Sequence, residues 1–117
     1  MKTVLIVDDE TNLRILYKKE LKEEGYNVIA AESGEEALEK LKTKKVDLVV
    51  LDIKMQGMDG IQTLREILTK DRNVKVILNS AYSTYKSDFS TWSADAYIIK
   101  SSNLDELKIK IKELLGE

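Results

Sequence analysis

Five short apolar runs rich in strand-forming residues recur along the chain, and this recurrence most constrains what it can fold into. The runs cover residues 4–7, 28–31, 46–51, 74–78 and 96–99. They are mostly continuous rather than alternating, which is typical of strands that are covered on both faces of a sheet. Because parallel strands need long crossover connections, we expect a helix between each run and the next.

Helical periodicity is present in the segments that connect and follow these runs. Apolar stripes predict four helices, marked by Leu13, Leu16, Tyr17 and Leu21, by Ala37, Leu38 and Leu41, by Ile61, Leu64 and Leu68, and by Leu104, Leu107, Ile111 and Leu114. Ser33 and Glu36 have the spacing of a capping box, and Asn103 can cap the last helix. Residues 83–93 are rich in Ser and Thr and predict only a marginal helix. The pattern predicts one α/β domain over residues 1–117, a doubly wound five-stranded parallel sheet with five helices.

Composition narrows the chemistry that such a domain can perform. The chain has no cysteine and no histidine, which excludes disulfides, thiolate chemistry and the commonest zinc ligand. The net charge is −2 and no basic run stands out, so we expect no direct nucleic-acid partner. No apolar run approaches the length of a membrane span, and the amino terminus lacks the pattern of a signal peptide. We therefore expect no membrane insertion and a cytoplasmic location.

Polar residues follow four of the predicted strands at the point where each strand ends. Asp8 and Asp9 follow the first, Asp52 the third, Ser80 the fourth and Lys100 the fifth. In an open parallel sheet these ends meet at one edge, where ligands bind at the topological switch point. Three carboxylates at about 4 Å would repel by roughly 4 kcal/mol per pair, more than one lysine can offset. A hard divalent cation such as Mg²⁺ fits this set of oxygen ligands.

The same residues suit phosphoryl transfer. A carboxylate such as that of Asp52 can act as a nucleophile and form an acyl phosphate. The reaction needs in-line positioning and neutralisation of charge on the transferring oxygens. A metal ion, the Ser80 hydroxyl and the Lys100 ammonium would supply that neutralisation, and the donor histidine can lie on another protein.

The stretches LIVDDE, VVLDIKMQGMDG, ILNSAY and DAYIIKS together resemble the receiver domain of two-component response regulators, of which the single-domain chemotaxis regulator is the simplest member. The resemblance covers essentially the whole chain and implies the flavodoxin-like receiver topology. It implies Mg²⁺ as cofactor and a histidine kinase or histidine phosphotransfer protein as phosphoryl donor. The roles that it implies are Asp52 as phosphoacceptor, Asp8, Asp9, Asp52 and the backbone carbonyl of Lys54 as metal ligands, Ser80 and Lys100 as phosphoryl contacts, and Tyr97 as a rotameric switch.

The chain departs from the family that it resembles in having no proline. The family usually has one after the lysine, with a cis peptide bond, and one in the loop after the phosphoacceptor, where this chain has Ser101 and Gln56. A non-proline cis bond costs about 2.5–4 kcal/mol, so we expect the Lys100–Ser101 bond to be trans. Gly57 and Gly60 are expected to be turn residues that permit positive φ.

A partner surface is predicted on the fourth predicted helix, the fifth strand and the last helix. Ile109 lies about 200° around the helix from Leu107, so it should point away from the core. Phe89 and Trp92 are expected to be exposed nearby. Related receivers dimerise or meet their targets there, so we expect a downstream protein target or a self-dimer at this surface.

Other interpretations stay open on the residues alone. Asp8, Asp9 and Glu10 can simply favour a helix start through its dipole, and Tyr97 can be a packing residue. A pseudo-receiver would bind partners without phosphorylation, and a metal-dependent phosphatase would use Asp52 on an external substrate. The chain can also belong to a larger transcription factor. We expect a receiver that assists its own phosphorylation rather than a turnover enzyme.

Overall fold

Strands and helices alternate along the computed structural model, which describes residues 1–71, 73–82 and 93–117. The elements are β1 (Thr3–Val7), α1 (Thr11–Glu23), β2 (Asn27–Ala31), α2 (Gly34–Thr43), β3 (Leu48–Leu51), α3 (Gly60–Lys70), β4 (Lys75–Ser80), β5 (Ala96–Ile99) and α4 (Asp105–Leu115). The strands pair in parallel in the order β2-β1-β3-β4-β5. The predicted doubly wound parallel sheet is therefore confirmed.

Each face of the sheet is covered by a pair of helices, which is why the strands read as continuous apolar runs. α2 and α3 cover one face, where Leu64 and Ile67 belong to one apolar cluster with side chains from all five strands. α1 and α4 cover the other face through Tyr17, Leu21 and Ile111. The core therefore consists of two apolar layers that the sheet separates.

The helix starts follow the local signals in the sequence. The Ser33 hydroxyl accepts the Glu36 N–H at 3.1 Å, and the Asp59 carboxylate accepts the Gln62 N–H at 2.8 Å. The Asn103 side chain accepts the Asp105 N–H at 2.8 Å, although Leu104 occupies the cap position itself. Leu16, predicted as part of the inner face of α1, is 41% exposed instead.

Two further predictions concern the segment before and the peptide bond after β5. The helix predicted over residues 83–93, with Phe89 and Trp92, lies almost wholly outside the described residues and stays a prediction, and four helices are described elsewhere. The described residues contain no cis peptide bond, so the Lys100–Ser101 bond is trans as predicted.

In the part of the chain that the structure describes, no helix has the length and apolar character needed to cross a membrane.

Candidate functional site

The site lies at the carboxyl edge of the sheet, where the strand order reverses between β1 and β3. The backbone continues the sheet ladder beyond the strands, since the Asp8 N–H donates to Ala31 O at 3.1 Å and the Asp52 N–H donates to Val7 O at 3.0 Å. Both aspartates are thus fixed by backbone pairing rather than by a free loop. This is the crevice in which open α/β sheets bind ligands.

Three carboxylates converge in this crevice, as the sequence predicts. Oxygen atoms of Asp8, Asp9 and Asp52 all lie within 4.8 Å of one another. Asp8 and Asp52 are buried, whereas Asp9 is exposed at the mouth. A cluster of hard, anionic oxygens with one open side fits a small divalent cation that keeps part of its water shell, as Mg²⁺ does.

Lys100 supplies the positive charge inside the crevice. Its Nζ lies 2.8 Å from Asp8 Oδ2 and 3.3 Å from Asp52 Oδ2. Lys100 follows β5, so its side chain passes over the end of β4 to reach the acids that follow β1 and β3. The Lys100 backbone N–H donates to Ser80 O at 2.7 Å, and this bond fixes the backbone position from which the side chain extends. The predicted convergence of Lys100 with the acids is therefore present in the structure.

The electrostatics of the crevice leave Asp52 unusually easy to protonate. Burial, and secondly the charge of Asp8, raise the pKa of Asp52 from 3.8 to about 6, and Lys100 opposes this only in part. Burial alone would lower the pKa of Lys100, but its hydrogen bond and charge interaction with Asp8, with a further contribution from Asp52, raise it. One lysine thus does not neutralise the cluster, and a bound cation would hold Asp52 in its ionised form.

Asp8 is held by contacts that the sequence did not reveal. Its Oδ1 accepts the Glu10 N–H at 2.9 Å, and its backbone carbonyl accepts Arg14 Nη1 at 2.7 Å. Arg14 also lies 3.8 Å from Glu32, an acid that follows β2. No sequence motif marks Arg14, because its role depends on the direction in which α1 leaves the crevice.

Gly60 shapes the site by close backbone approach, and the expectation of positive φ was wrong for it. Positive φ is found at Gly57, where φ is 76°, whereas Gly60 is the first residue of α3. A Cβ on Gly60 would lie 2.1 Å from the backbone oxygen of Asp52 and 2.6 Å from Ile53 Cα. Gly60 also donates its N–H to Ile53 O at 2.8 Å. α3 can therefore begin directly against the segment that carries Asp52 only because residue 60 has no side chain.

Ser80 and Tyr97 are connected through the backbone of one residue, Tyr82. The buried Ser80 hydroxyl accepts the Tyr82 N–H at 3.1 Å, and the Tyr97 hydroxyl donates to Tyr82 O at 2.5 Å. Tyr97 is 5% exposed, so it occupies an inward position. Tyr82 therefore connects Ser80 and Tyr97 through two hydrogen bonds, a connection that no motif in the sequence indicates.

A buried polar pair, Tyr17 and Asn79, lies in the apolar layer on the α1 side of the sheet. Asn79 Nδ2 donates to the Tyr17 hydroxyl oxygen at 2.7 Å, and both side chains are 2% exposed. Asn79 Oδ1 has no hydrogen-bond partner among the described residues. Asn79 directly precedes Ser80, so this pair ties α1 to the strand that enters the site.

The remaining predicted residues lie around the rim. Lys54 is exposed in the loop after β3, and the role of its backbone carbonyl stays a prediction. Ile109 is 59% exposed on α4, as its position on the helix predicts.

A doubly wound sheet with clustered aspartates and a lysine at its carboxyl edge defines the receiver class of signalling domains. The family described as response regulator receiver domain matches residues 4–112 of this chain. The chain belongs to the response regulator receiver domain family, which confirms the resemblance seen in the sequence.

Individual relatives extend this comparison. The chain is similar to the response regulator protein TrrA from Thermotoga maritima in complex with Mg²⁺-BeF, with a TM-score of 0.92, 54% identity, and coverage of 97% of this chain and 99% of that one. It is 34% identical to sporulation initiation phosphotransferase F of Bacillus subtilis over 96% of this chain and 92% of the relative. It is 37% identical to the transcriptional regulatory protein ZraR of Klebsiella oxytoca over 97% of this chain, but spans only 26% of that relative.

Proposed function

We propose that this receiver accepts a phosphoryl group on Asp52 from a histidine kinase or a histidine phosphotransfer protein. The observation that carries the proposal is the placement of the Asp52 carboxylate, which is buried, lies 3.3 Å from Lys100 Nζ and shares one crevice with Asp8 and Asp9. Acyl phosphate formation requires a carboxylate that can act as nucleophile, and positive charge beside it that offsets the negative charge of the phosphoryl oxygens.

Mg²⁺ is the cofactor that the residues fit. Asp8, Asp9 and Asp52 would hold it with the backbone carbonyl of Lys54, and the complex of TrrA with Mg²⁺-BeF supports this choice of ion. When bound, the ion supplies neutralisation of charge on the transferring oxygens. It would also offset the two negative charges that remain when Lys100 is set against the three carboxylates.

The covalent step is a displacement at phosphorus by the Asp52 carboxylate. A carboxylate oxygen forms the new O–P bond while the P–N bond of the donor phosphohistidine breaks, and its electron pair returns to the imidazole nitrogen. Lys100, freed from part of its pairing with Asp52, is placed to contact the incoming oxygens. Asp52 is itself the modified group, so we propose no turnover of an external substrate.

The signal leaves the site through Ser80 and Tyr97. A phosphoryl group adds nearly two negative charges and strong acceptor oxygens beside the Ser80 hydroxyl. If Ser80 Oγ moves toward the phosphoryl group in order to donate to it, the bond that Oγ accepts from the Tyr82 N–H is stretched or lost, and the hydrogen bond from the Tyr97 hydroxyl to the same residue is disturbed. The surface formed by β5, α4 and the segment before β5 would then change its affinity for a downstream target or a second copy.

The structure of the histidine kinase ThkA with TrrA supports a kinase as donor, since TrrA in that complex is 54% identical to this chain with a TM-score of 0.91. We also propose a cytoplasmic location for this reaction. The particular kinase and target depend on surface chemistry outside the acidic crevice.

Intact-mass measurement after incubation with acetyl phosphate tests the proposal. We expect one phosphoryl adduct with Mg²⁺, and none with a chelator or in Asp52→Asn. Asp47→Asn is a matched control, because Asp47 lies at the opposite edge, where its carboxylate accepts the Thr3 N–H. An absent adduct in the folded, Mg²⁺-saturated protein would favour a phosphorylation-independent interaction module, and an adduct that persists in Asp52→Asn would place the acceptor elsewhere.

A further inference from the structure

A second concave site lies at the amino-terminal edge of the sheet, opposite the acidic crevice. It is a cavity of about 370 Å³ between the carboxyl ends of α2 and α3. Leu38 and Leu41 of α2 and Ile67 of α3 line it, together with Val46 and Val74, which directly precede β3 and β4. Its volume falls in the range of small-molecule sites, and its interior is apolar.

Four exposed lysines line this cavity beside its apolar residues. Lys42, Lys44, Lys45 and Lys70 line it with a single acid, Asp71, which leaves an excess of three positive charges. The sequence does not reveal this cluster, because Lys42, Lys44 and Lys45 lie at and just after the end of α2, whereas Lys70 is the last residue of α3. Lysines near helix carboxyl ends also complement the helix dipole, but that effect does not require an apolar cavity between them.

Most of this positive charge has no acidic partner among residues 1–71, 73–82 and 93–117. Lys42 lies 3.0 Å from Glu39, but Lys44, Lys45 and Lys70 form no ion pair with any described residue. By contrast, Lys108 on α4 lies 2.8 Å from Glu20 of α1, and Lys112 lies 3.4 Å from Glu24, which directly follows α1. Like charges that share one rim repel, and an anion between them would relieve the repulsion.

We propose that this lysine-rimmed cavity binds a small amphipathic anion, with an apolar chain or ring between α2 and α3 and a carboxylate or phosphate among the lysines. Apolar burial supplies most of the affinity, and the lysines supply orientation and selectivity for anions. The site is independent of phosphorylation, because it lies at the other end of β3 from Asp52. A small ligand is favoured over a protein segment because the volume of the cavity suits a small molecule and lysines line it beside the apolar side chains.

Titration of the ¹⁵N-labelled full chain with octanoate, followed by NMR, tests this proposal. We expect saturable shifts confined to amides of residues 38–46 and 67–74. Acetate carries the charge without the chain, and 1-octanol carries the chain without the charge. Since both parts of the site contribute, octanoate should bind at least about fivefold more tightly than either compound.

Variants that remove lysine charges test where octanoate binds. Lys45→Gln with Lys70→Gln should weaken octanoate binding by about fivefold while leaving 1-octanol binding unchanged. Lys18→Gln with Lys19→Gln removes the same charge from exposed positions of α1 and should leave octanoate binding unchanged. All four positions are on the surface, so an unaltered spectrum elsewhere will show that each variant is folded.

Several outcomes would overturn the proposal. Shifts spread over the surface, or equal loss in both double variants, would mean non-specific attraction of anions. Equal affinities for octanoate and 1-octanol would mean that the lysines do not contribute to recognition of the ligand. Binding of an acidic, leucine-containing peptide at these residues without binding of octanoate would assign the site to a protein partner instead.

Discussion

At the scale of single residues, Asp52 combines requirements that oppose one another. The proposed role needs an ionised carboxylate, yet Asp52 is buried beside Asp8 and its pKa is raised to about 6. Lys100 compensates in part through its pairing with both acids. The fold therefore carries an electrostatic cost at the very residue that its proposed chemistry uses, which is common at functional sites.

Asp52→Asn should stabilise the metal-free protein at neutral pH. A carboxyl whose pKa is higher in the folded than in the unfolded chain binds extra protons when folded between about pH 4 and 6. Its stabilising contribution is therefore present below about pH 4 and lost as the pH rises through about 6. We expect Asn to raise the free energy of unfolding by roughly 1–3 kcal/mol at pH 8 and by little at pH 4. Urea unfolding in chelator measures this, and equal stabilities at pH 8 would contradict it.

Gly60→Ala should damage both stability and phosphorylation. The added methyl would lie 2.1 Å from the Asp52 backbone oxygen, so α3 or the Asp52 segment must move, at a cost of about 1–3 kcal/mol or more. Gly25→Ala is the control, because Gly25 has positive φ but no atom within 4 Å of an added Cβ. Both variants should lower the urea midpoint, but only Gly60→Ala should slow adduct formation with acetyl phosphate. Equal rates of adduct formation in the two variants would mean that Gly60 does not influence the chemistry at Asp52.

At the scale of elements, α1 and β4 are joined by a polar contact inside an apolar layer. Tyr17→Phe removes the hydroxyl that accepts from Asn79, and the Asn79 amide then has no partner in the part of the chain that the structure describes, so we expect a loss of about 1–3 kcal/mol. Asn79→Leu in the Tyr17→Phe background should recover stability, since an apolar pair has no unmet hydrogen bond. Thermal unfolding of both single variants and the double variant measures the coupling, and additive losses would mean that the pair does not interact.

The elements themselves were largely predictable, because continuous apolar runs and helical stripes report burial directly. All five strands are present within a few residues of their predicted positions. Asp8, Asp9, Asp52 and Lys100 were predictable as a group because strand topology places their positions at one edge. What stayed hidden depends on side-chain direction and interatomic distance. Arg14 donates a hydrogen bond to the Asp8 carbonyl, and Gly60 lies close against the Asp52 backbone. Neither contact leaves a pattern in the sequence.

At the scale of the whole molecule, Mg²⁺ should stabilise the fold in proportion to its occupancy of the acidic crevice. A ligand at ten times its Kd adds about 1.4 kcal/mol to the free energy of unfolding if it binds only the folded state. The gain should be larger at pH 8 than at pH 5, because protons compete for Asp52, whose pKa is about 6. Calorimetry with MgCl₂ against KCl of equal ionic strength measures it. An equal gain in Asp9→Asn would place the ion outside this crevice.

The acidic crevice and the lysine-rimmed cavity lie at opposite edges of a sheet in a molecule about 30 Å across. Their separation gives the domain an electric dipole moment although its net charge is only −2. In the field of a charged partner such a molecule experiences a torque that turns one edge forward before contact. Encounters are then biased in orientation as well as in frequency, and added salt, which shortens the reach of that field, reduces the bias.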